Sequence, residues 1–249
     1  MPKKVVVIGA SRGIGKEIAR LHLKLGDSVT ALARSKTELE RLPKNPDERA
    51  NLECISFDVR DSKKCQKVFS DWFSKNKDFD RVYYVSGYLN PPSKGFEYNP
   101  DDIDLMVQVN VQGAFQCLRF FEESIYKNRK GEIVGISSIA GDRGRKGNPI
   151  YNATKAALDI YLEGIRYRTF SFSGKVFTVK PGFIDTDMLV GMDVPKKGFL
   201  KPISAEDCAK IILEKISKGK EVFYVPSKWW LVATIIKTIP SRFFRYLNI

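Results

Sequence analysis

Ser138, Tyr151 and Lys155 are the side chains whose types and spacing suit joint chemistry: a hydroxyl, then a phenol, then an ammonium four positions after the phenol. On a helix, Tyr151 and Lys155 share a face one turn apart. A free phenol ionises near pH ~10, and an ammonium beside it favours the phenolate and lowers that value. Such a group can pass a proton to or from a reacting oxygen. The surrounding run, SSIAGDRGRKGNPIYNATK, reads equally as a Gly-rich basic loop entering an ordinary helix. Tyr-x-x-x-Lys recurs by chance, so the elements around it must decide.

A second candidate site lies near the N-terminus, where Gly9-Ala10-Ser11-Arg12-Gly13-Ile14-Gly15 follows an apolar run. Glycines there let the backbone turn tightly and approach a pyrophosphate, and the N-terminus of a following helix offers unpaired N–H groups and a positive dipole end. The spacing is G-x-x-x-G-x-G, a weak signal until strand, glycines and amphipathic helix occur in that order. An NAD site places an acid at the end of the second strand. Here that end is Ala33-Arg34-Ser35, and Arg12 adds a second guanidinium, which favours the 2′-phosphate of NADP(H). Asp58, past the third strand, reads as an adenine-side acceptor or as a helix cap.

The elements that must position these groups are legible as short β-branched runs at 5–8, 29–32, 52–57, 82–85, 133–136, 176–179 and 222–225, with helix-length segments between them. That alternation predicts an α/β fold with a parallel sheet covered on both faces. Ile14, Ile18, Leu21 and Leu25 form a helical stripe closed by Gly26. Asp101 and Asp102 signal the start of a long helix through Tyr126, and Pro149 precedes another from Ile150 to about Phe170. At 249 residues one domain is expected, without internal repeat or linker.

The 42 Lys+Arg against 29 Asp+Glu give a formal charge of +13, which favours anionic partners: nucleotide phosphates, anionic lipid or nucleic acid. The four cysteines, Cys54, Cys65, Cys117 and Cys208, keep no metal spacing with the lone His22, so they read as reduced thiols and suit the cytoplasm. No metal site is expected. His22 borders an apolar stripe without a chemical partner and reads as structural. The apolar run after Met1 stops at Gly9, too short for a secretory signal, and is read as the first strand.

The glycine loop, Ser138, Tyr151-x-x-x-Lys155 and Pro181-Gly182 together resemble the short-chain dehydrogenase/reductase family, over the chain to about Val225. The resemblance implies a single Rossmann-type, doubly wound domain of about seven parallel strands over residues 1–225, hydride exchange with a nicotinamide, and a catalytic set of Asn110, Ser138, Tyr151 and Lys155. In that reading Tyr151 is the general acid or base, Ser138 hydrogen-bonds the substrate oxygen, Lys155 tunes Tyr151 and holds the nicotinamide ribose, and Asn110 positions a water. The positive nicotinamide of the oxidised cofactor also favours the phenolate. Cofactor contacts implied are Gly9, Ser11, Arg12, Gly13, Ile14, Gly15, Arg34, Asp58, Val59, Ser86, Gly87, Asn110, Tyr151, Lys155, Pro181, Gly182, Ile184 and Thr186. Two departures stand out: Ile8 replaces a usual Thr, and Tyr84-Val85-Ser86-Gly87 replaces Asn-Asn-Ala-Gly.

Residues 226–249 form an apolar and basic extension without an acid after Glu221. Lys237 and Pro240 interrupt it, so it is too short to span a bilayer. It reads either as a helix lying on an anionic membrane surface, which would add a peripheral-membrane location, or as a tail packing on its own domain, the substrate mouth or a partner in a homodimer. Arg143, Arg145, Lys146, Lys196, Lys197 and Lys201 are placed around the substrate mouth. The expected activity is an NADP(H)-dependent interconversion of a carbonyl and a secondary alcohol, with a lipophilic ketone as the expected substrate and a β-ketoacyl thioester as the alternative. A non-catalytic dinucleotide sensor and a nucleic-acid-binding protein are the rival classes. The complete set of four catalytic residues disfavours the first, and the lack of interleaved aromatic and basic residues disfavours the second.

Overall fold

Strand formation follows from runs of alternating residues that are apolar on both faces. Val5 and Val7 point into one core layer, Val6 and Ile8 into the other, and all four are buried. The computed structural model describes residues 2–91, 97–195 and 197–247. In chain order the elements are β1 (Lys4–Ile8), α1 (Gly13–Lys24), β2 (Ser28–Ala33), α2 (Lys36–Glu40), α3 (Pro46–Ala50), β3 (Leu52–Ser56), α4 (Ser62–Lys75), β4 (Arg81–Tyr84), α5 (Pro100–Val107), a π-helical turn (Gln108–Gln112), α6 (Gly113–Asn128) and β5 (Lys130–Ile136). They continue as α7 (Pro149–Thr169), β6 (Ser173–Pro181), β7 (Ile184–Asp185), β8 (Ile203–Ser204), α8 (Ala205–Ser217), β9 (Val222–Val225), α9 (Trp229–Thr238) and α10 (Ser241–Phe244).

Seven strands form one parallel sheet in the order β3-β2-β1-β4-β5-β6-β9, and β7 pairs with β8 in a small separate sheet. Helices α1 and α8 cover one face through Ile18, Leu23, Cys208 and Ile212. Helices α4, α6 and α7 cover the other through Phe69, Trp72, Phe121, Leu158 and Leu162. This is the doubly wound α/β fold expected from the sequence. The strand order reverses direction between β1 and β4, which opens a crevice at the carboxyl ends of the strands, where such sheets bind ligands.

The long helix expected over 101–126 is three pieces. Its cap is Asn99, whose side chain accepts from Asp101 N, and a π turn at Gln108–Gln112 joins α5 to α6. α7 begins at Pro149 itself, capped by Asn148, because proline's fixed φ suits the first helical position and its missing N–H costs nothing there. His22 is buried between Asp27 and Tyr83, at 2.6 and 2.9 Å. That polar clamp explains why burial, which lowers its pKa, is tolerated. All four cysteines are free. Among the described residues no helix is long and apolar enough to cross a membrane, and no group of His, Cys, Asp and Glu could hold a metal ion.

Candidate functional site

At the nucleotide half of the crevice the geometry belongs to the backbone. Gly9 sits at φ +97°, and a Cβ there would stand 2.6 Å from Ser86 N, so only glycine lets the turn after β1 lie against the turn after β4. The N–H groups of Gly9 and Ala10 both donate to Leu32 O, at 2.8 and 3.2 Å, tying that turn to β2. A Cβ at Gly15 would collide with the Gly9 carbonyl, so the first turn of α1 packs directly on the loop. No side chain caps α1 and no acid occupies its first turn, which leaves its N–H groups facing the crevice. Ser11, Arg12, Gly13 and Ile14 complete this turn.

Arg34 follows β2 and is exposed, and Arg12 is exposed with only a 3.7 Å pair to Asp187, a surface contact of little energetic weight. Asp58 follows β3, and Arg60 grips it through Nε at 3.0 Å and Nη2 at 2.7 Å, holding the carboxyl below the ordinary range. The helix cap considered for Asp58 is supplied instead by Asp61, which accepts from Lys64 N. Val59 is buried beside it. Ser86 and Gly87 follow β4, Pro181 ends β6, and Ile184 and Thr186 lie in and after β7, with Thr186 against Gly13. The cofactor candidates other than Asn110, Tyr151 and Lys155 therefore fall at or beside the carboxyl ends of β1, β2, β3, β4 and β6, or in and after β7.

The catalytic half is built from buried side chains. Asn110 is fully buried in the π turn, where Oδ1 accepts from Tyr88 N at 2.8 Å and Nδ2 donates to Tyr88 O at 2.9 Å and Thr154 Oγ1 at 3.0 Å. The wider turn aims Asn110 at the loop after β4 and at α7 together. Ser138 follows β5, its Oγ accepting from Ala140 N at 3.1 Å and hydrogen-bonded to Tyr151. Lys155 Nζ donates to Ile136 O at 3.0 Å and stands 5.7 Å from the Tyr151 ring centre. A Cβ at Gly87 would meet Lys155 Nζ, Asn110 Oδ1 and the Met188 methyl at 3.6–3.7 Å, so this glycine borders the same space. Asn110, Ser138, Tyr151 and Lys155 are thus brought together.

The protonation of this set differs from the expectation of a lowered tyrosine. Burial pushes Tyr151 up to about 12, opposed by the Ser138 hydrogen bond and the Arg145 charge. Burial brings Lys155 down to about 8, opposed by Asp159. The lysine is itself desolvated, and spacing alone cannot register that cost to a charged neighbour. Around neutral pH the structure favours a protonated phenol.

Several contributors carried no sequence signal. Lys180 Nζ binds Asp142 at 2.6 Å and Asp159 at 2.9 Å, a largely buried ion network joining the end of β6, the loop after Ser138 and the helix of Lys155. Met106, Tyr88, Leu89, Tyr98 and Ile150 form an apolar wall beside Tyr151. Trp229 of α9 lies on Gly182, where any Cβ would collide with the indole, and meets Phe183 edge-on at 5.1 Å between ring centres. The Arg143 guanidinium is committed to the tail: Nη1 donates to the carbonyls of Ile236 and Ile239, and the group stacks on Phe244 at 3.8 Å. It caps α9, whose last carbonyls lack helical partners. The tail therefore packs one face, Trp229 and Ala233, on its own domain. Lys146, Lys197 and Lys201 are exposed, and Lys196 lies outside the described residues.

The family model described as short chain dehydrogenase matches residues 3–195. An uncharacterized oxidoreductase of Staphylococcus epidermidis is 26% identical over 220 residues, covering 88% of this chain and 93% of that protein, and one from Staphylococcus aureus matches equally. Among solved structures, ElxO with NADP bound is similar at a TM-score of 0.79 and 24% identity, over 90% of this chain and 97% of that one. A short chain dehydrogenase from Burkholderia cenocepacia in complex with NADP aligns at 0.83 and 21%, over 100% and 98%. One from Burkholderia phymatum in complex with NAD aligns at 0.80 and 18%, over 94% and 92%.

Proposed function

We propose that this chain, which belongs to the short-chain dehydrogenase family, is an NADP(H)-dependent oxidoreductase that interconverts a carbonyl and a secondary alcohol. Hydride is what NADPH supplies when bound. The chain fits that cofactor at the Gly9–Gly15 turn, which a Cβ would fill, at the uncapped N-terminus of α1, at Arg34, which follows the strand end where an acid would select NAD(H), and at Arg12 in the glycine turn. Pro181, Gly182, Ile184 and Thr186 border the nicotinamide end in this reading.

The observation that carries the proposal is the burial of Tyr151, Lys155 and Asn110 in one group at the carboxyl ends of the strands, with Ser138 hydrogen-bonded to Tyr151. In reduction, Tyr151 gives its proton to the carbonyl oxygen as that oxygen gains charge. Ser138 donates a second hydrogen bond to the same oxygen. Lys155 in its charged form stabilises the phenolate left behind, and Asn110 holds the loop and helix that align them. The test is NADPH oxidation by the purified protein across a panel of ketones, aldehydes and β-ketoacyl thioesters; turnover with at least one supports the reading. Tight NADPH binding without any turnover would move it to the sensor class.

The apolar wall beside Tyr151 supports a lipophilic substrate. The outer face of the tail supports contact with an anionic bilayer: Trp230, Leu231 and Ile235 are exposed beside Lys228, Lys237, Arg242 and Arg245, with no acid nearby in sequence. Flotation with phosphatidylserine vesicles tests it, because changing Trp230, Leu231 and Ile235 to Ser leaves Trp229 in place and should abolish flotation. Exposed Ile160 and Tyr167 on α7 and Tyr126 on α6 support a homodimer, which sedimentation would register as twice the 28.3 kDa chain mass.

A further inference from the structure

Arg145 is a cation without a counterpart in the fold. It is half-buried in the loop between Ser138 and Tyr151, yet makes no hydrogen bond or ion pair with any described residue. The neighbouring cations are committed: Arg143 to the carbonyls of α9, Lys180 to Asp142 and Asp159, and Lys155 to Ile136 O. None of the side chains outside the described residues is acidic. Asp142, the acid whose charge reaches Arg145, is ion-paired to Lys180 instead, at 2.6 Å. The other group whose charge Arg145 feels is Tyr151, beside the apolar wall of Tyr88, Leu89, Tyr98 and Ile150.

None of the Arg145 nitrogens is sealed from solvent, so the guanidinium is open to an incoming group, and its planar fork of donors matches a carboxylate or a phosphate. We propose that Arg145 binds an anionic group on the substrate, a carboxylate or a phosphate, and places an apolar-bodied carbonyl compound with its oxygen toward Tyr151. The inference rests on the carbonyl-reductase reading for the identity of the reacting group, but not for the binding of the anion. Arg145 is a specificity residue: it favours anionic carbonyl compounds by a charge-assisted pairing that a neutral analogue cannot make.

The test measures binding rather than turnover. Benzoylformate, phenacyl phosphate and neutral methyl benzoylformate are titrated calorimetrically into the full chain, with and without saturating NADP+, which fills the nucleotide phosphate sites and cannot reduce a ketone. The expected result is that at least one anion binds about ten-fold to a hundred-fold tighter than the ester. Arg145→Gln should remove that advantage and leave the ester within about two-fold, while Arg145→Lys should restore part of it. A preference confined to benzoylformate identifies a carboxylate, and one confined to phenacyl phosphate a phosphate. Anions that bind no tighter than the ester, or an Arg145→Gln variant that keeps the preference or weakens all three ligands alike, would overturn the proposal. Arg145-dependent binding of an anion upholds this inference even where NADPH oxidation fails across the whole carbonyl panel, the result that removes the reductase reading.

Discussion

The two halves of the crevice do their work with different parts of the chain. On the β1–β3 side the candidate contacts are backbone: a turn at Gly9 that only glycine can make, an uncapped helix end, and two exposed arginines. On the β4–β6 side they are side chains, with Asn110 fully buried and Tyr151 and Lys155 nearly so, linked through Thr154, Tyr88 and Ser138. A nucleotide is held along its length by dipoles and charges that tolerate solvent. A proton donor must be kept in one protonation state at one position, and burial achieves that. Substitutions should therefore act locally on affinity in the first half and on rate in the second.

The largest effect is expected at Tyr151. Tyr151→Phe should lower NADPH-dependent reduction by about 10²- to 10⁴-fold, the usual contribution of a positioned general acid, while the affinity for NADPH measured by fluorescence titration changes little. Parallel losses of affinity and rate would erase the distinction between the halves. Next comes Arg34→Glu, which puts an acid where the end of β2 has none. The ratio of kcat/KM for NADPH over NADH should fall by about 10- to 100-fold with kcat for the favoured cofactor largely kept.

Smaller still is Gly182→Val, which forces Trp229 off the end of β6. It should destabilise the fold by about 1–3 kcal/mol, seen as a lower Tm, because an added side chain in a filled space must be accommodated by strain. Trp229→Ala in the same background should recover part of that loss; failure to recover would mean that Gly182 is needed for its backbone rather than for the indole.

What could be read from the sequence follows the same division. The strands and the glycine turn were legible because β-branched runs and glycines report local backbone requirements. Asn110 was reachable only through a family likeness: the π turn that aims it leaves no mark in Gln108-Val109-Asn110-Val111-Gln112. Arg143 looked like a mouth residue because its partners, Ile236 and Ile239, are 93 and 96 residues away. The Lys180 network spans 38 residues to Asp142 and was equally invisible. Spacing showed that Lys155 neighbours Tyr151, but not that both are buried, and burial reverses the expected direction of the tyrosine's pKa.

The central claim is that Tyr151 acts as a proton donor and Lys155 as the charged group supporting it, and the pH dependence of the chemical step tests it directly. In single turnovers with NADPH already bound, the rate of carbonyl reduction should be level while Lys155 keeps its proton. It should fall as pH rises through about 8, where that ammonium is lost, well before Tyr151 titrates near 12. A reduction rate that instead climbs with pH over this range would mean that a deprotonated group drives the step, and would contradict the assignment.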